Sequence, residues 1–499
     1  MTAPAIDAAV TSTARLSERL ERLAQASRVF LSMPLIEGIT PRYLVANGHR
    51  EDCDPQSGLT RCSGTFLLSE VGLPVFDHGL LYGDAVFEGV TINEGRIFQW
   101  REHIARLFSS AAAVRIAIPY TPERLTSHIL EAARTVHFNT NSATYLRLIV
   151  TRGIGDLAIA PTTCVGSSIC CIASQVQLYP QHVYDHGLRL RIARHIRRQG
   201  RQTLDPRIKS CNYLNNIFGL LETSDEDTHE ALMLTQEGWI AEATADNVFS
   251  VRRDDGWRHD PSKVVIITPS REYCLNGITR DLVIRYARER GYRIQENSQM
   301  LPSDLFGEHK ELFLTGTAAG IAPVTEIDGS PIANGEPGPI TRQLRDMLKV
   351  DMVRDEMGLP LRATSADVEH YFSVRSSQWA QHHQTAHDLI ATMFEVIDLQ
   401  SWTDLETFFH EDVVYERPGY EPIRGIQNLM HFYKERRVIA SGTHELEGIT
   451  ADREYAACWG RFIGTHKDGS SLDERFSDVY TVKNGQIATR RSFFFRPAV

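Results

Sequence analysis

The sequence predicts an α/β or α+β body followed by a smaller α+β block that contains a curved antiparallel sheet. The length points to more than one domain, because 499 residues correspond to roughly three folding units of ~150 residues each. From Thr65 to about Leu348, short β-branched strands mix with helical stretches. A polar stretch, Gly358 to Ser377, then separates this body from a C-terminal block in which strands dominate.

The composition favours a folded protein that acts on small molecules. Apolar residues make up 42% and charged residues 23% of the chain, which supplies a sizeable core. The net charge of -10 argues against a nucleic-acid surface. Sparse cysteines, no secretory pattern and no apolar run of ~18 residues favour a cytoplasmic protein that does not span a membrane.

The first 58 residues are expected to form an N-terminal helical arm and a linker. Apolar side chains recur at helical spacings of three and four at Leu16, Leu20, Leu23, Ala26 and Phe30. The polar stretch Gln56 to Gly64 is typical of a linker. The arm either packs on its own body or binds a partner, and the pattern leaves both open.

Periodic patterns define the elements of the body. Tyr145–Thr151 and Leu188–Ala193 are predicted to be strands, and Gly277–Arg290 and Ile340–Lys349 are predicted to be helices. These elements alternate as expected for a mixed α/β architecture.

The C-terminal block begins with a predicted helix and continues as strands. The helix has apolar residues on one face at Ala386, Ile390, Met393, Phe394 and Ile397. Strands are predicted at Ala456–Thr465, Arg475–Val482 and Gln486–Arg496, with turns at Lys467–Ser470 and at Asn484-Gly485. Helices against a curved antiparallel sheet would enclose a conical pocket.

Lys209 is the first candidate for catalysis. It precedes a predicted helix whose apolar face contains Tyr213, Ile217, Leu220 and Leu221. A helix N-terminus and partial burial both lower the pKa of an ammonium group, as an amine nucleophile or Schiff-base lysine requires. A solvated surface lysine is the alternative for this residue taken alone.

An ordered set of motifs surrounds Lys209. Phe76–Gly89 precedes it, and Ile240–Phe249, Asn276–Asp281 and Thr315–Ala319, with Pro323 beyond, follow it. Over roughly Thr65 to Val350 the chain thereby resembles the fold type IV, class IV pyridoxal-phosphate aminotransferases, most of all their branched-chain amino acid aminotransferase branch. The resemblance implies pyridoxal 5'-phosphate as cofactor, an amino acid and a 2-oxo acid as substrates, with glutamate and 2-oxoglutarate as the expected pair, and a homodimer or higher homo-oligomer.

The same resemblance implies the domain limits. A small aminotransferase subdomain would span residues 59–180 and a large one residues 181–355. A linker over 356–377 would lead to the C-terminal cone domain at 378–499.

The resemblance also assigns roles to single residues. Lys209 would be the Schiff-base lysine and the base that moves the substrate Cα proton, and Glu242 would face the pyridine nitrogen. The remaining cofactor-binding residues would be Arg106, Tyr213, Ile278, Thr279 and Thr317. The substrate-binding residues would be Tyr82, Phe87, Tyr145, Arg147, Thr317 and Ala318. Strand alternation places Tyr145 and Arg147 on one face, where an inward arginine needs an anion, although an edge-strand arginine in water remains the alternative.

Three departures from the family pattern bear on the substrate. Thr91 stands where branched-chain members usually have arginine, Gly320 stands where glutamate is common, and Ala243–Asp246 replaces a more glycine-rich run. These changes leave the cofactor chemistry in place. A more specialised amino acid substrate is therefore expected beside a branched-chain one.

The C-terminal block resembles the nuclear transport factor 2-like superfamily in its polyketide-cyclase-like branch. The resemblance rests on Phe408–Tyr433 and Phe476–Tyr480. Candidate acid, base or anion-binding groups of the cone are Asp478, Tyr415, His444 and Arg490, with structural roles as the alternative. His382, His383 and His387 lack the ligand set of a metal site, so no metal is expected.

Two alternatives to a simple aminotransferase stay open on the sequence. One is a pyridoxal-phosphate-dependent lyase of the aminodeoxychorismate lyase type, whose product the C-terminal domain would bind or process. The other concerns the C-terminal domain alone, which would be a purely structural or ligand-sensing module.

Overall fold

The structure is a computed structural model in which the chain divides into two compact units, Met1–Glu369 and His370–Val499. The residues that the structure describes are 21, 25, 27–51, 58–136, 144–175, 179–225, 227–297, 299–373, 386–451, 455–483 and 486–494.

The first unit begins with an eight-stranded sheet. Its strands are β1 (Arg28–Pro34), β2 (His49–Glu51), β3 (Arg61–Leu67), β4 (Ala85–Asn93), β5 (Arg96–Phe98), β6 (Thr144–Thr151), β7 (Ser168–Gln175) and β17 (Gly358–Pro360). They are ordered β17-β5-β4-β6-β7-β1-β3-β2, and every pair of neighbours is antiparallel. The helices of this region are α1 (Arg42–Asn47), α2 (His78–Tyr82), α3 (Trp100–Ala113) and α4 (Pro122–Arg134).

This sheet corrects the end of the predicted N-terminal helix, although the described residues Glu21 and Gln25 before it are helical. Phe30 lies in β1, paired with Thr65 and Cys171, instead of on a helix. Six of the seven residues of β1 are buried, and a strand buried on both faces reads as a continuous apolar run that periodicity cannot distinguish from a helix. The four predicted helical positions before Phe30 lie outside the described residues.

Two predicted linkers also contribute strands to this sheet. The stretch Gln56 to Gly64 contains the start of β3, where the side chain of Arg61 is buried. The stretch Gly358 to Ser377 contains β17, which pairs with β5, and then the helix α9 (Ser365–Ser373). Polar composition is therefore misleading here, because strands at or near the edge of a sheet need few apolar side chains.

A second, nine-stranded sheet follows in the first unit. Its strands are β8 (Leu188–Arg197), β9 (Glu230–Leu234), β10 (Ile240–Ala243), β11 (Asn247–Arg253), β12 (Val264–Pro269), β13 (Arg293–Asn297), β14 (Lys310–Gly316), β15 (Gly320–Ile327) and β16 (Ser330–Pro331). They are ordered β10-β9-β8-β15-β14-β11-β12-β13, with β16 beside β15. The helices of this region are α5 (Gln181–His186), α6 (Leu214–Thr223), α7 (Ile278–Glu289) and α8 (Pro339–Asp351). The predicted helices and strands of the body are all present, and Gly277 and Arg290 are the N-cap and C-cap of α7.

The second unit packs helices against a six-stranded sheet. Its strands are β18 (Phe409–Glu416), β19 (Ile423–Arg424), β20 (Ile439–Ala451), β21 (Tyr455–His466), β22 (Ser471–Lys483) and β23 (Gln486–Phe494), in the order β19-β18-β23-β22-β21-β20. Its helices are α10 (Ala386–Asp398), α11 (Trp402–Leu405) and α12 (Ile426–His431). The predicted helix and strands are confirmed. The sheet is not purely antiparallel as expected, since β18 runs parallel to β23. The predicted Asn484-Gly485 turn lies outside the described residues.

Within the described ranges, no helix is both long enough and apolar enough to cross a lipid bilayer.

Candidate active site

Lys209 lies between β8 and α6 and is held against β4 of the first sheet. The backbone N–H of Phe87 donates to the Lys209 carbonyl at 2.9 Å, and the N–H of Cys211 donates to the Ala85 carbonyl at 2.8 Å. The Lys209 N–H donates to the Ser110 hydroxyl at 3.2 Å. These bonds fix the lysine at the place where the two sheets of the first unit meet.

Lys209 lines an open cleft together with Tyr213 and Glu242. The cleft has a volume of about 420 Å³, which includes solvent at its opening. The Nζ of Lys209 lies 4.7 Å from the centre of the Phe87 ring. Burial, followed by repulsion from Arg106 and Arg147, lowers the pKa of Lys209 to about 8. A substantial share of the amine is therefore neutral and nucleophilic near neutral pH.

Glu242 is fixed in β10 by donors on both of its oxygens. Arg198 Nε donates to Oε1 at 2.7 Å, while the Leu275 N–H donates to Oε2 at 3.1 Å and Asn247 Nδ2 does so at 3.3 Å. Both members of the Arg198–Glu242 salt bridge are largely buried. The guanidinium of Arg198 and these N–H donors hold the carboxylate in one orientation, as a partner for a protonated heterocycle requires.

Arg106 projects from α3 into a second cluster of charges. Its Nε and Nη2 donate to the two oxygens of Glu88 at 2.7 and 2.9 Å, and its Nη1 donates to the Asn276 carbonyl at 2.8 Å. His103 Nδ1 lies 2.7 Å from the same Glu88 carboxylate. Burial alone would raise the pKa of Glu88, but the charges and hydrogen bonds of Arg106 and His103 outweigh it and lower that pKa to about 2.

A second cleft of about 250 Å³ lies beside this cluster and contains the N-terminus of α7. It is lined by His103, Ile278, Thr279, Thr317 and Gly320, among others. The first N–H groups of a helix have no intrahelical acceptor and bind anions. Gly277 allows the helix to begin here, since a Cβ at this position would lie 2.0 Å from Asn247 Oδ1.

Three predicted substrate-binding residues form a group around Phe87. The Arg147 guanidinium lies 4.5 Å from the centre of the Phe87 ring and 5.6 Å from that of Tyr145. The ring of Tyr213 meets Phe87 edge-on at 5.2 Å. The Tyr145 hydroxyl would lie 1.7 Å from a Cβ at position 89, so Gly89 is what allows this tyrosine to lie over β4.

The other three predicted substrate-binding residues lie elsewhere, and one of them, Thr317, lines the second cleft. Tyr82 ends α2, and its hydroxyl donates to the Leu157 carbonyl at 2.6 Å. Tyr82 is not among the described residues that line the Lys209 cleft. Ala318 is half-buried in the turn between β14 and β15, next to Thr317.

Four residues that shape this site were not predicted from the sequence, namely Arg198, Glu88, His103 and Asn247. Arg198 stands among several basic residues at the end of β8, so nothing marks it as the partner of Glu242. Glu88 and Asn247 lie inside motifs of the family resemblance, and a buried acid within an apolar strand could have signalled a bound cation.

The four candidate residues of the C-terminal unit lie in its interior. Arg490 donates through Nε to Asp478 at 2.7 Å, and its guanidinium lies 5.0 Å from the centre of the Tyr415 ring. The charge of Arg490 also contributes to the lowered pKa of His444. His387 belongs to α10, but its side chain lies outside the described residues, as do His382 and His383.

Comparisons with known proteins agree with this geometry. A family model described as amino-transferase class IV matches residues 85–327, and a model of the SnoaL-like domain matches residues 390–490. The chain is 40% identical over 275 residues to a putative branched-chain-amino-acid aminotransferase of Methanocaldococcus jannaschii, covering 55% of this chain and 89% of that protein. It is 30% identical over 300 residues to a D-alanine aminotransferase of Listeria innocua, covering 57% of this chain and 93% of that protein.

A solved structure matches the same region. It is the T.th. branched-chain amino acid aminotransferase complexed with N-(5'-phosphopyridoxyl)-L-glutamate, with a TM-score of 0.52 and 30% identity, covering 59% of this chain and 94% of that one. All of these relatives of the first unit are named as aminotransferases, so the lyase alternative is not favoured. The chain belongs to the class IV aminotransferases, enzymes that depend on pyridoxal 5'-phosphate, and ends in a SnoaL-like domain.

Proposed function

We propose that this aminotransferase exchanges the amino group of an apolar amino acid, branched-chain or of similar shape, with 2-oxoglutarate. The observation that carries the proposal is the position of Arg147. Its guanidinium lies over the Phe87 ring, which also contacts Lys209 Nζ, and it makes no ion pair with a carboxylate of the described residues. A cation without a carboxylate partner beside the reactive amine suits a substrate carboxylate.

The residues present fit pyridoxal 5'-phosphate. The Lys209 cleft offers an amine of lowered pKa together with the carboxylate of Glu242, which is paired with Arg198. The bonds of Arg106 to Glu88 and Asn276 use three of its five N–H groups, which leaves two for phosphate. Ile278, Thr279 and Thr317 would complete the phosphate site, and the Tyr213 hydroxyl would bond the phenolic oxygen.

Each residue has a separate task in the proposed mechanism. When bound, the cofactor supplies an electron-withdrawing ring that stabilises negative charge at the substrate Cα. Lys209 would hold the cofactor covalently until a substrate amine replaces it, and its Nζ would then accept and return the Cα proton. Glu242, fixed by Arg198, would keep a proton on the pyridine nitrogen.

Recognition of both substrates would rest on the same residues. Arg147 and Tyr145 would bind a carboxylate, the amides of Thr317 and Ala318 would bind another, and Phe87 would meet the apolar side chain. Because donor and acceptor enter in turn, one arginine can serve the side-chain carboxylate of 2-oxoglutarate and leave space for an apolar donor.

The test is steady-state kinetics of the cofactor-loaded enzyme with both enantiomers of single amino acids and 2-oxoglutarate. We expect turnover with apolar amino acids, and in Arg147→Met we expect the KM for 2-oxoglutarate to rise at least tenfold with a smaller change in kcat. Arg191→Met, at an exposed salt bridge with Asp225, is the matched control. Turnover restricted to D-alanine, or an unchanged KM in Arg147→Met, would refute the proposal.

We also propose that the enzyme is a homodimer, formed partly through α6. Five apolar side chains of this helix are exposed, Leu214 (61%), Ile217 (47%), Phe218 (46%), Leu220 (37%) and Leu221 (66%). Such a patch beside an active site is typical of an interface. Sedimentation should give a dimer for the wild type and a monomer for Leu221→Glu, with Lys349→Glu on α8 as the charge control. A monomeric wild type would exclude the dimer.

The reduced state of the thiols supports a location in the cytoplasm as a further part of this proposal. The seven cysteines that the structure describes are all free, which suits a reducing compartment. Localisation of a tagged full chain would test it.

A further inference from the structure

A buried arginine of the SnoaL-like domain lacks a charged partner. Only 7% of the surface of Arg437 is exposed to solvent. Among the described residues, no carboxylate forms an ion pair with its guanidinium. Burial accordingly lowers the pKa of this guanidinium. A buried cation is costly unless it meets an anion, so the domain on its own leaves this charge uncompensated.

Aromatic rings surround Arg437 but contact it weakly. The guanidinium lies 5.9, 5.8 and 6.0 Å from the ring centres of Trp402, Tyr433 and Phe462. Cation–π attraction extends to about 6 Å, so all three contacts lie near its outer limit. The rings therefore provide an apolar wall and little compensation for the charge.

The other buried arginine of this interior differs from Arg437. Arg490 donates to Asp478 at 2.7 Å through Nε and to the Tyr433 hydroxyl at 2.8 Å through Nη1. Its charge is therefore compensated within the chain. Of these two arginines, Arg437 is the one that needs a counter-ion from outside.

The backbone directs Arg437 into the interior. The residues before it, Phe432–Arg436, form a π-helical turn, and the Arg437 N–H closes that turn on the Phe432 carbonyl at 2.8 Å. Such turns are rare and are frequent at functional sites. The neighbouring Arg436, inside the turn, is exposed to solvent instead.

The interior is not sealed around this charge. His444 and Asp398 are hydrogen-bonded, with side chains 11% and 16% exposed. The charge of Asp398 acts on Arg437 without an ion pair, and Arg437 contributes to the lowered pKa of His444. Both oxygens of Asp398 accept hydrogen bonds from His444, one from its backbone N–H at 2.7 Å and one from its ring. Asp398 is thus committed to His444 and does not replace a partner for Arg437.

We propose that the SnoaL-like domain contains a binding site for a small organic carboxylate with an apolar or aromatic body, whose carboxylate pairs with Arg437. The forked guanidinium matches a carboxylate in two hydrogen bonds. The rings of Trp402 and Phe462 then cover the apolar body of the ligand. The site is separate from the Lys209 cleft and does not depend on the substrates assigned to that cleft.

Hydrogen exchange with mass spectrometry on the cofactor-loaded full chain tests this site, because it separates the domain from the Lys209 cleft. The probe is 3-phenylpropanoate, and its neutral isostere 3-phenylpropanamide is the ligand control. We expect the acid to protect residues 432–445 from exchange. The amide, and inorganic phosphate without an apolar body, should leave this segment unprotected.

Variants of two neighbouring arginines then show which guanidinium binds the carboxylate of the probe. Arg437→Met should weaken binding of the acid in this segment at least tenfold, and Arg436→Met should change it less than twofold. If circular dichroism shows that Arg437→Met does not fold, Arg437→Lys is used in its place. This variant should weaken binding of the acid several-fold, because an ammonium group lacks the paired N–H donors of a guanidinium. Absence of protection in the wild type, equal protection by the amide, or equal effects at both arginines would overturn the proposal.

Discussion

The arginines that position the reaction in the aminotransferase unit contrast with Arg437, a buried arginine of the SnoaL-like unit. In the aminotransferase unit, Arg106 and Arg198 each bond a buried carboxylate, Glu88 and Glu242. In the SnoaL-like unit, Arg437 has no such partner in the part of the chain that the structure describes. A paired cation fixes the geometry of neighbouring groups, whereas an unpaired one creates an affinity for an anion. Arg106 and Arg198, like Arg490 with Asp478 in the second unit, thus hold their neighbours in place. Arg437, like Arg147 over Phe87 in the first unit, is suited to bind an anion.

Removal of Lys209 is the strongest test of that difference. Lys209→Ala should lower kcat by more than ~10³-fold, because both the covalent anchor and the proton-transfer base are lost. Borohydride reduction followed by mass spectrometry should find no trapped cofactor. Protection of residues 432–445 by 3-phenylpropanoate should persist in this variant, and its loss would show that the two sites are not independent.

Stability measurements should distinguish Arg106, which is paired with Glu88, from Arg437, which has no carboxylate partner among the described residues. Glu88→Gln leaves Arg106 buried without a carboxylate and should lower the free energy of unfolding by about 3 kcal/mol. Arg437→Met removes an uncompensated charge and should change it by less than about 1 kcal/mol. Urea unfolding, followed separately for each unit, provides both values. Equal losses in the two variants would contradict the comparison.

Low pH should remove the contribution of the Glu88 carboxylate to the free energy of unfolding. Its pKa in the folded chain is about 2, against 4.5 for the ordinary side chain, so the carboxylate stabilises the fold fully above pH 4.5. That stabilisation, roughly 3 kcal/mol for a shift of this size, is lost as the pH falls from 4.5 towards 2. The difference in unfolding free energy between wild type and Glu88→Gln should therefore shrink between pH 5 and pH 3. A constant difference would show that the ion pair with Arg106 is not its source.

The smallest expected effect concerns the pH at which Lys209 reacts. Its pKa of about 8 means that the amine is protonated and unreactive below this pH and neutral above it. The rate at which pyridoxal phosphate adds to the cofactor-free enzyme should rise with pH, with a midpoint near 8. Arg147 contributes to the lowered pKa of Lys209, so Arg147→Met should move the midpoint upward by a fraction of a pH unit. Arg191→Met serves as control, and a downward shift would reject the electrostatic explanation.

Amphipathic elements can be predicted from this sequence, and elements buried on both faces cannot. Helix α7 agrees with its prediction to within one residue at each end because its apolar stripe has a helical period. Strand β1 does not agree with the predicted helix because both of its faces are covered. The motifs identify Lys209, Glu242 and Arg106 as candidates. Their ion-pair partners Arg198 and Glu88 lie 44 and 18 residues away in the chain, a distance at which local patterns carry no information.

Strand β17 has a consequence for where the chain can be divided. It forms the edge of the first sheet, although it follows all strands of the second sheet in the sequence. Just before β17, Asp355 forms a salt bridge of 2.5 Å with Arg96 of β5, 259 residues away in the chain. The strands of the first sheet are therefore not contiguous in the sequence. During synthesis, β5 cannot pair with β17 until residues 358–360 have been added. A shortened protein that ends at α8 would leave that edge open to strands of other molecules. Aggregation, rather than a clean loss of the C-terminal domain, is the expected result of such a truncation.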